Sequence, residues 1–406
     1  MKRVLFVDDE PALLEGLRRR LYRAQAKWEM TFVANAALAV AELEAKPYDV
    51  IVTDMRMARM DGAQLLEIAS DRSPQTIRIV LSGYSEERQV MRLVPLAHQY
   101  VSKPCEADRL EQVVERCLQL QELLQEPRIR TTVGRIRHLP ALPRVYARLR
   151  QAIAREDVSA AEVADIVSSD SAVAAKVLHV VNSAFFRLAR PITRIEQAVV
   201  HLGFNAIRNL ALSAEVFCDW SAISVPAGFE PEQLQAHARA VAAGAYALAG
   251  DLPWASDAML AGLLHDIGYW VMLQQCSREM ETAVSLSAQK SISLCRAERT
   301  VFGATHAEMG AYLLGLWGLP YPILEAVAFH HRPTLAAQSE FDVLAAVAIA
   351  QEVLASAEPH RGNGCHQQDI EPPIDQSYLA RLGVPFDWQQ AQERVGPFAP
   401  REPPDV

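Results

Sequence analysis

The sequence predicts an α/β domain with a parallel sheet over its first 124 residues, followed by an all-helical domain. Short β-branched segments alternate with amphipathic segments up to Leu124. From Leu139 onward, Ala, Leu and Val recur at helical spacing and strand signals nearly vanish. The chain has 406 residues, 50% of them hydrophobic, which is enough for two or three domains.

Five strands are predicted in the first domain, at residues 4–7, 31–33, 50–53, 77–81 and 100–102. Between them, apolar residues such as Leu14, Leu17 and Leu21 have helical spacing. We therefore expect helices on both faces of a parallel sheet.

A long last helix is predicted from Glu106 to Leu124 in this domain. Residues 125–138, which contain the basic run RIRTTVGRIRH, are predicted to be a solvated linker. The helical domain is predicted to cover residues 139–358. Residues 359–406 are polar and rich in proline, so we expect a partly ordered C-terminal extension with a frayed end.

Composition restricts the classes of partner and compartment. A net charge of −9 repels phosphate backbones and anionic lipids, so nucleic acid is not an expected partner. No apolar stretch reaches the roughly 20 residues of a membrane-spanning helix, and the start MKRVLFVDDE lacks the apolar core of a secretory signal. The six cysteines form no CxxC pair and suit reduced core thiols. We expect a cytoplasmic protein without membrane insertion.

Ionisable side chains follow the predicted strands at the ends where parallel sheets bind their ligands. Asp8 and Asp9 follow the first strand, Asp54 the third, Ser82 the fourth and Lys103 the fifth. Three carboxylates in one pocket repel one another, and Mg²⁺ would accept their oxygens while leaving room for a phosphoryl oxygen. The set suits phosphoryl transfer to Asp54, with Lys103 neutralising the phosphoryl group and Ser82 donating a hydrogen bond to it.

The motifs VDDE, VTDMRMARMDG, LSGY and YVSKP, in this order, resemble the receiver domain of two-component response regulators. The resemblance covers about residues 1–124 and implies a doubly wound, flavodoxin-like sheet of order 2-1-3-4-5. It implies Asp54 as the phosphoacceptor for a sensor histidine kinase. It also implies a Mg²⁺ ion held by Asp8, Asp9, Asp54 and the main-chain carbonyl of Arg56.

The same resemblance implies roles for three further residues. Ser82 and Lys103 would be phosphate partners, and Tyr100 would be the switch aromatic. Ala58 stands where many receivers have proline, which touches none of the chemistry. Receivers of this type often dimerise when phosphorylated, so a homodimer is a further expectation.

Structural explanations of the same residues stay open. Asp8 and Asp9 ahead of Pro11 could cap a helix. Tyr100 could be an ordinary core aromatic, and the domain could be a receiver that is no longer phosphorylated.

A second set of ionisable residues lies in the helical domain. It comprises His237, His265, Asp266, His306, His330 and His331. Histidine and aspartate suit zinc, iron or manganese. The segment LLHDIG, with a histidine upstream and HH downstream, resembles the HD superfamily of metal-dependent phosphohydrolases.

A longer stretch, from about Ile136 to Ser356, resembles the HDOD domain, an HD-related output domain. It includes LPALPRVYARLRQAI, VSSDSAVAAKVLHVVNSAFF, AGLLHDIGYWVM and THAEMGAYLLGLWGLP. This resemblance implies a signalling module without established catalysis. Tyr269 stands where active HD enzymes commonly have lysine, Gln351 stands where a late helix would supply an aspartate, and no glycine-tyrosine-proline signature follows His331. A transition metal is therefore not expected, although the six residues stay a candidate degenerate site.

The function predicted from these observations is a two-component response regulator whose output is a protein–protein contact with an unidentified downstream protein. A metal-dependent phosphodiesterase, acting for example on a cyclic dinucleotide, is one alternative. A DNA-binding regulator is another, because two predicted helices broken at SSDS mimic a helix-turn-helix. The second of these helices carries mainly Lys176, His179 and Asn182, a poor set for reading bases.

Overall fold

The computed structural model describes residues 1–82, 96–103, 107–123, 127–136, 139–140, 145, 148–149, 151–152, 155, 158–182, 191–212, 217–218, 224–227, 229–336, 340–357, 374 and 376–399. The side chain of Ser82 lies outside this description.

A five-stranded parallel sheet forms the centre of the first domain. Its strands are β1 (Lys2–Val7), β2 (Trp28–Val33), β3 (Val50–Asp54), β4 (Ile77–Ser82) and β5 (Gln99–Ser102). They are ordered β2-β1-β3-β4-β5, as the resemblance implies. The second strand begins at Trp28, earlier than predicted, because Trp28 is buried and continues the pairing with β1.

Helices cover both faces of this sheet, which confirms the predicted fold class. They are α1 (Pro11–Arg20), α2 (Ala36–Ala45), α3 (Gly62–Arg72) and α4 (Ala107–Leu123). One face of the sheet packs with α2 and α3, and the other packs with α1 and α4. A capping box between Asp61 and Gln64 fixes the start of α3, directly after the loop that follows β3.

The segment predicted to be a solvated linker contains a helix, α5 (Pro127–Gly134). Its Ile129 and Val133 are buried in the same apolar core as both domains. Arg78 of β4 donates a hydrogen bond to the Gly134 carbonyl at 2.9 Å. The segment is thus helical and partly buried, because Ile129 and Val133 form an apolar stripe one helical turn apart within a charged sequence.

The second domain is helical, as predicted. Its helices are α6 (Ala160–Ser168), α7 (Ser171–Val181), α8 (Ile195–Leu212), α9 (Pro231–Ala249), α10 (Ala255–Leu264), α11 (Ile267–Gln275), α12 (Ser277–Lys290), α13 (Leu294–Phe302), α14 (His306–Leu316), α15 (Tyr321–Phe329) and α16 (Val343–Ala357). The one departure within the described residues is a short parallel pair, β6 (Leu139–Pro140) with β7 (Phe217–Cys218).

Helix α7 is the second helix of the helix-turn-helix alternative. Every one of its residues is buried, and Asp170 caps its start by accepting the N–H groups of Ala172 and Val173. A recognition helix must present its side chains to the groove. This arrangement leaves α7 no face for DNA.

Within the predicted C-terminal extension, the structure describes residue 374 and residues 376–399. The extension contains α17 (Gln376–Leu382) and α18 (Trp388–Val395), and α18 packs on α9 and α16. Ala391 and Val395 are fully buried there. Spaced four residues apart, they give this polar segment one apolar face, so the predicted boundary at residue 358 does not end the folded unit.

The structure also describes three of the cysteines and the apolar character of the helices. Cys117, Cys276 and Cys295 are buried and take part in no disulfide, in agreement with the sequence. Among the described residues, no helix has the length and apolar character required to span a bilayer.

Candidate functional site

The strand ends of the first domain bring together an acidic pocket, as predicted. Ligand atoms of Asp8, Asp9 and Asp54 all lie within 4.8 Å of one another. Lys103, directly after β5, places its Nζ 2.7 Å from Asp8 Oδ2 and 2.8 Å from Asp54 Oδ1. Asp8 and Asp54 are buried, whereas Asp9 is half-buried.

Local contacts hold each carboxylate in place. Asp8 accepts the N–H of Glu10 at 2.9 Å, and Asp9 accepts the N–H of Ala58 at 2.8 Å. The second bond ties the first strand end to the loop after β3, which also contains Arg56. Sequence reasoning missed this anchoring role of Ala58.

The loop after β3 folds back tightly on Asp54. The N–H of Gly62 donates to the Met55 carbonyl at 2.9 Å, and a Cβ at position 62 would lie 2.3 Å from the Asp54 carbonyl oxygen. Only glycine permits this approach. Within the same loop, Arg59 has a φ of 72°, a strained conformation for a residue with a side chain.

The electrostatics of the pocket suit a nucleophilic carboxylate and a divalent cation. Burial raises the pKa of the Asp54 carboxyl above its usual range, and this effect exceeds the opposing influence of Lys103. Burial would lower the pKa of Lys103, but its hydrogen bonds to Asp54 and Asp8 raise it overall. Three carboxylates against one ammonium leave excess negative charge. The oxygen-rich donor set therefore fits Mg²⁺.

The structure describes only the backbone of Ser82, the predicted phosphate partner, and all of Tyr100, the predicted switch aromatic. The backbone of Ser82 ends β4, paired in register with Ser102 of β5, so it lies at the pocket edge. Tyr100 is buried, and its hydroxyl has no hydrogen-bond partner among the described residues. Burial raises the pKa of that hydroxyl well above its usual range.

The helical domain gathers the predicted histidines around one carboxylate. Nε2 of His265, His306 and His330 lies 3.2, 3.3 and 3.7 Å from the carboxylate oxygens of Asp266. His331 Nε2 lies 3.1 Å from His306 Nε2. His237 joins His265 and Asp266 in a second group of possible ligands.

Hydrogen bonds fix which ring nitrogen of these histidines faces Asp266. Nδ1 of His265 lies 2.7 Å from the Gly262 carbonyl, and Nδ1 of His330 lies 2.8 Å from the Val327 carbonyl. A carbonyl only accepts, so both Nδ1 atoms carry a proton, and in a neutral ring the lone pair is then on Nε2. This is the arrangement in which neutral histidines bind metal ions.

Glu298 was missed by sequence reasoning, although it occupies the buried face of α13. It is fully buried, and its carboxylate lies 2.9 Å from Nδ1 of His306. Burial opposes a charge on His306, but Glu298 and Asp266 together raise its pKa to about 10. Although burial alone would raise it, the imidazoles of His265 and His306 hold the pKa of Asp266 well below its usual range. Two buried carboxylates thus need one compensating cation, either this proton or a metal ion.

The two departures from an active hydrolase lie close to this cluster. Tyr269 stacks on the His306 ring, with centroids 3.9 Å apart. Gln351 is fully buried on α16, which packs on the helices that end at His265 and His330, and its amide makes no hydrogen bond to the described residues. A cavity lined by His331 and Cys295 has a volume of about 60 Å³. Typical ligand pockets have roughly 300–1,000 Å³.

Comparisons with known proteins agree with this division of the chain. The model of the response regulator receiver domain matches residues 4–115, and the model of the HDOD domain matches residues 139–333. An uncharacterized protein of Treponema pallidum (strain Nichols) is 26% identical over 278 residues, which are 67% of this chain and 51% of that protein. The hydrogenase transcriptional regulatory protein HoxA of Bradyrhizobium diazoefficiens is 31% identical over 152 residues, 36% of this chain and 31% of HoxA.

The chain thus spans about half the length of the first relative and less than a third of the second. Among solved structures, the MmoQ response regulator from Methylococcus capsulatus str. Bath is 20% identical. The alignment covers 63% of this chain and 98% of the MmoQ chain, with a TM-score of 0.49. From the two matched domain models and the sheet order, this chain is a response regulator in which an N-terminal receiver domain precedes a C-terminal HDOD domain.

Proposed function

We propose that this response regulator is phosphorylated on Asp54 by a partner histidine kinase and passes the signal on through a non-catalytic helical domain. The single observation that carries the proposal is the position of Lys103, whose ammonium lies between Asp8 and Asp54. A cation in that position can neutralise a phosphoryl group as it reaches Asp54.

The phosphoryl transfer needs no reactant beyond the phosphodonor. A carboxylate oxygen of Asp54 attacks the phosphorus, a P–O bond forms, and the bond to the donor nitrogen breaks. Asp8, Asp9, Asp54 and the main-chain carbonyl of Arg56 would hold Mg²⁺, which supplies charge neutralisation for the phosphoryl oxygens. Ser82 would donate a hydrogen bond to the attached phosphate. These reactions would take place in the cytoplasm.

Intact mass measurement tests the phosphorylation. Wild type incubated with a small acyl phosphate and Mg²⁺ should gain the mass of one phosphoryl group, and Asp54→Asn should gain none. Asp49→Asn is the matched control, because Asp49 precedes β3 at its opposite end and pairs with Lys2 there. Equal labelling of Asp54→Asn and wild type would refute the assignment.

A metal-dependent phosphodiesterase is a second candidate function, favoured by the Nδ1 hydrogen bonds of His265 and His330. The ligands would be Asp266 and the surrounding histidines, and a bound transition metal would supply Lewis acidity. Gln351, Tyr269 and the small cavity argue for a closed site without turnover. The Nδ1 hydrogen bonds revise the expectation that no transition metal binds: purified protein should retain metal that is lost in His265→Ala. We expect no hydrolysis of a cyclic dinucleotide by wild type. Turnover by wild type that disappears in His265→Ala would establish the enzyme instead.

A further inference from the structure

The edge strand of the receiver sheet contacts the helical domain directly. Gln99 of β5 donates its Nε2–H to the Leu316 carbonyl at 2.6 Å, at the end of α14. A Cβ at Gly318 would lie 2.9 Å from the same amide, so the turn after α14 fits closely around Gln99. From α4, Arg116 donates to the Leu319 carbonyl. The receiver therefore holds the turn between α14 and α15 from two sides.

A stack of rings continues this contact into α7. The ring centroids of Tyr100 and His179 lie 6.0 Å apart. The His179 ring then stacks on Trp317 at 4.8 Å, with the planes only 10° apart. Lys176 Nζ lies 5.0 Å from the centroid of the Trp317 ring, and all four side chains are buried.

The interface contains polar groups whose burial opposes docking. The Tyr100 hydroxyl makes no hydrogen bond to the described residues, and the buried His179 ring has only the backbone of His98 as a polar neighbour for a ring nitrogen. Burial lowers the pKa of His179 well below its usual range, and the nearby Lys176 acts in the same direction. Each polar group that is desolvated without gaining a hydrogen bond weakens the contact. The docked arrangement is therefore a balance that a modest perturbation can shift.

Strand β5 also connects this interface to the phosphoacceptor. Lys103 lies three residues beyond Tyr100, about 10 Å along an extended chain. Its ammonium contacts Asp54 at 2.8 Å. A phosphoryl group on Asp54 gives Lys103 a new anionic partner at the end of the strand that carries Gln99 and Tyr100.

We infer that His179 and Trp317 are the positioning residues by which the helical domain responds to the phosphorylation state of Asp54, through their stack on Tyr100. The inference rests on the proposed phosphorylation of Asp54. Coupling between two sites is reciprocal, so a substitution at His179 that disturbs the contact should in turn change the affinity for a ligand at Asp54. Typical couplings correspond to about 5- to 150-fold.

Beryllofluoride with Mg²⁺, a mimic of the phosphoryl group, is the probe for a test on the full chain. Fluorine NMR measures its binding, and tryptophan emission reports the environment of Trp317. In wild type, binding should change the emission, and Trp317→Phe should abolish that change. His179→Ala should bind the probe with an affinity altered at least about fivefold and show no emission change. His179→Phe, which keeps a ring on Trp317, should retain the emission change.

Val181→Ala is the matched control, because Val181 is fully buried on the opposite side of α7 from Lys176 and His179. It should keep both the affinity and the emission change. Wild-type affinity together with an undiminished emission change in His179→Ala would overturn the inference, and so would equal losses in His179→Ala and Val181→Ala. Absence of any probe binding by wild type would instead reject the proposed function, and the inference with it.

Discussion

Replacing Lys176 by methionine should stabilise the chain at neutral pH. The Lys176 side chain is buried on α7, and desolvation lowers its pKa from 10.5 to about 7. This difference in pKa, at ~1.36 kcal/mol per pH unit, sets an upper bound of ~5 kcal/mol on the destabilisation caused by burying Lys176 near pH 7. Methionine fills similar space without a charge, but it gives up the contact with Trp317, worth ~2 kcal/mol when desolvated. We expect a net gain of ~2–3 kcal/mol.

The stabilisation expected from Lys176→Met depends on pH. Between pH 7 and 10.5 the unfolded chain holds a proton on Lys176 that the folded chain does not, so wild-type stability from this group rises as pH rises through that window. The advantage of Lys176→Met should therefore be largest near pH 7 and should shrink towards pH 10.

Urea midpoints followed by tryptophan emission at pH 7 and pH 10 measure this difference. Lys290→Met, at the exposed end of α12, is the control and should change stability by less than ~0.5 kcal/mol. A lower midpoint for Lys176→Met than for wild type at pH 7 would refute the reasoning, since it would mean that the interface stabilises the charged lysine.

Two further substitutions test the packing. Gly268→Ala would place a Cβ 1.9 Å from the His306 carbonyl oxygen and so force α11 away from α14. Thermal unfolding should show that the free energy of unfolding falls by at least ~2 kcal/mol. Metal analysis should show a lower metal content than in wild type. Arg78→Met removes the buried donor to the Gly134 carbonyl, and the unsatisfied acceptor and lost packing should cost ~2–4 kcal/mol in urea unfolding. The exposed Arg72→Met should stay near wild type, and an equal effect of the two would contradict the role of Arg78.

The receiver pocket was predictable from the sequence for a topological reason. Asp8, Asp54 and Lys103 each follow a recognisable strand, and parallel strands bring their carboxyl ends to one edge. The histidine cluster was predictable as a set because LLHDIG, with a histidine upstream and HH downstream, resembles a metal-binding motif. The contact of Glu298 with His306 was not predictable, because a single acidic residue on an amphipathic helix does not indicate which helix it will face.

Contacts between the two domains could not be predicted from the sequence for the same reason. Periodicity shows that one side of α7 is buried, but it cannot show that His179 meets Tyr100 rather than another helix of its own domain. In α5 the charge density of RIRTTVGRIRH concealed Ile129 and Val133, whose burial depends on partners from both domains.

The apolar interior described above continues without a break from Val4 in β1 to Val395 in α18. The two halves therefore share one set of packing constraints and cannot be exchanged as independent parts. A receiver transplanted from another regulator would need to reproduce the edge that fits around Gly318, as well as the phosphorylation chemistry. Recombination between regulators of this architecture should succeed only where compensating substitutions in both domains, at the contact around Gly318, accompany the exchange.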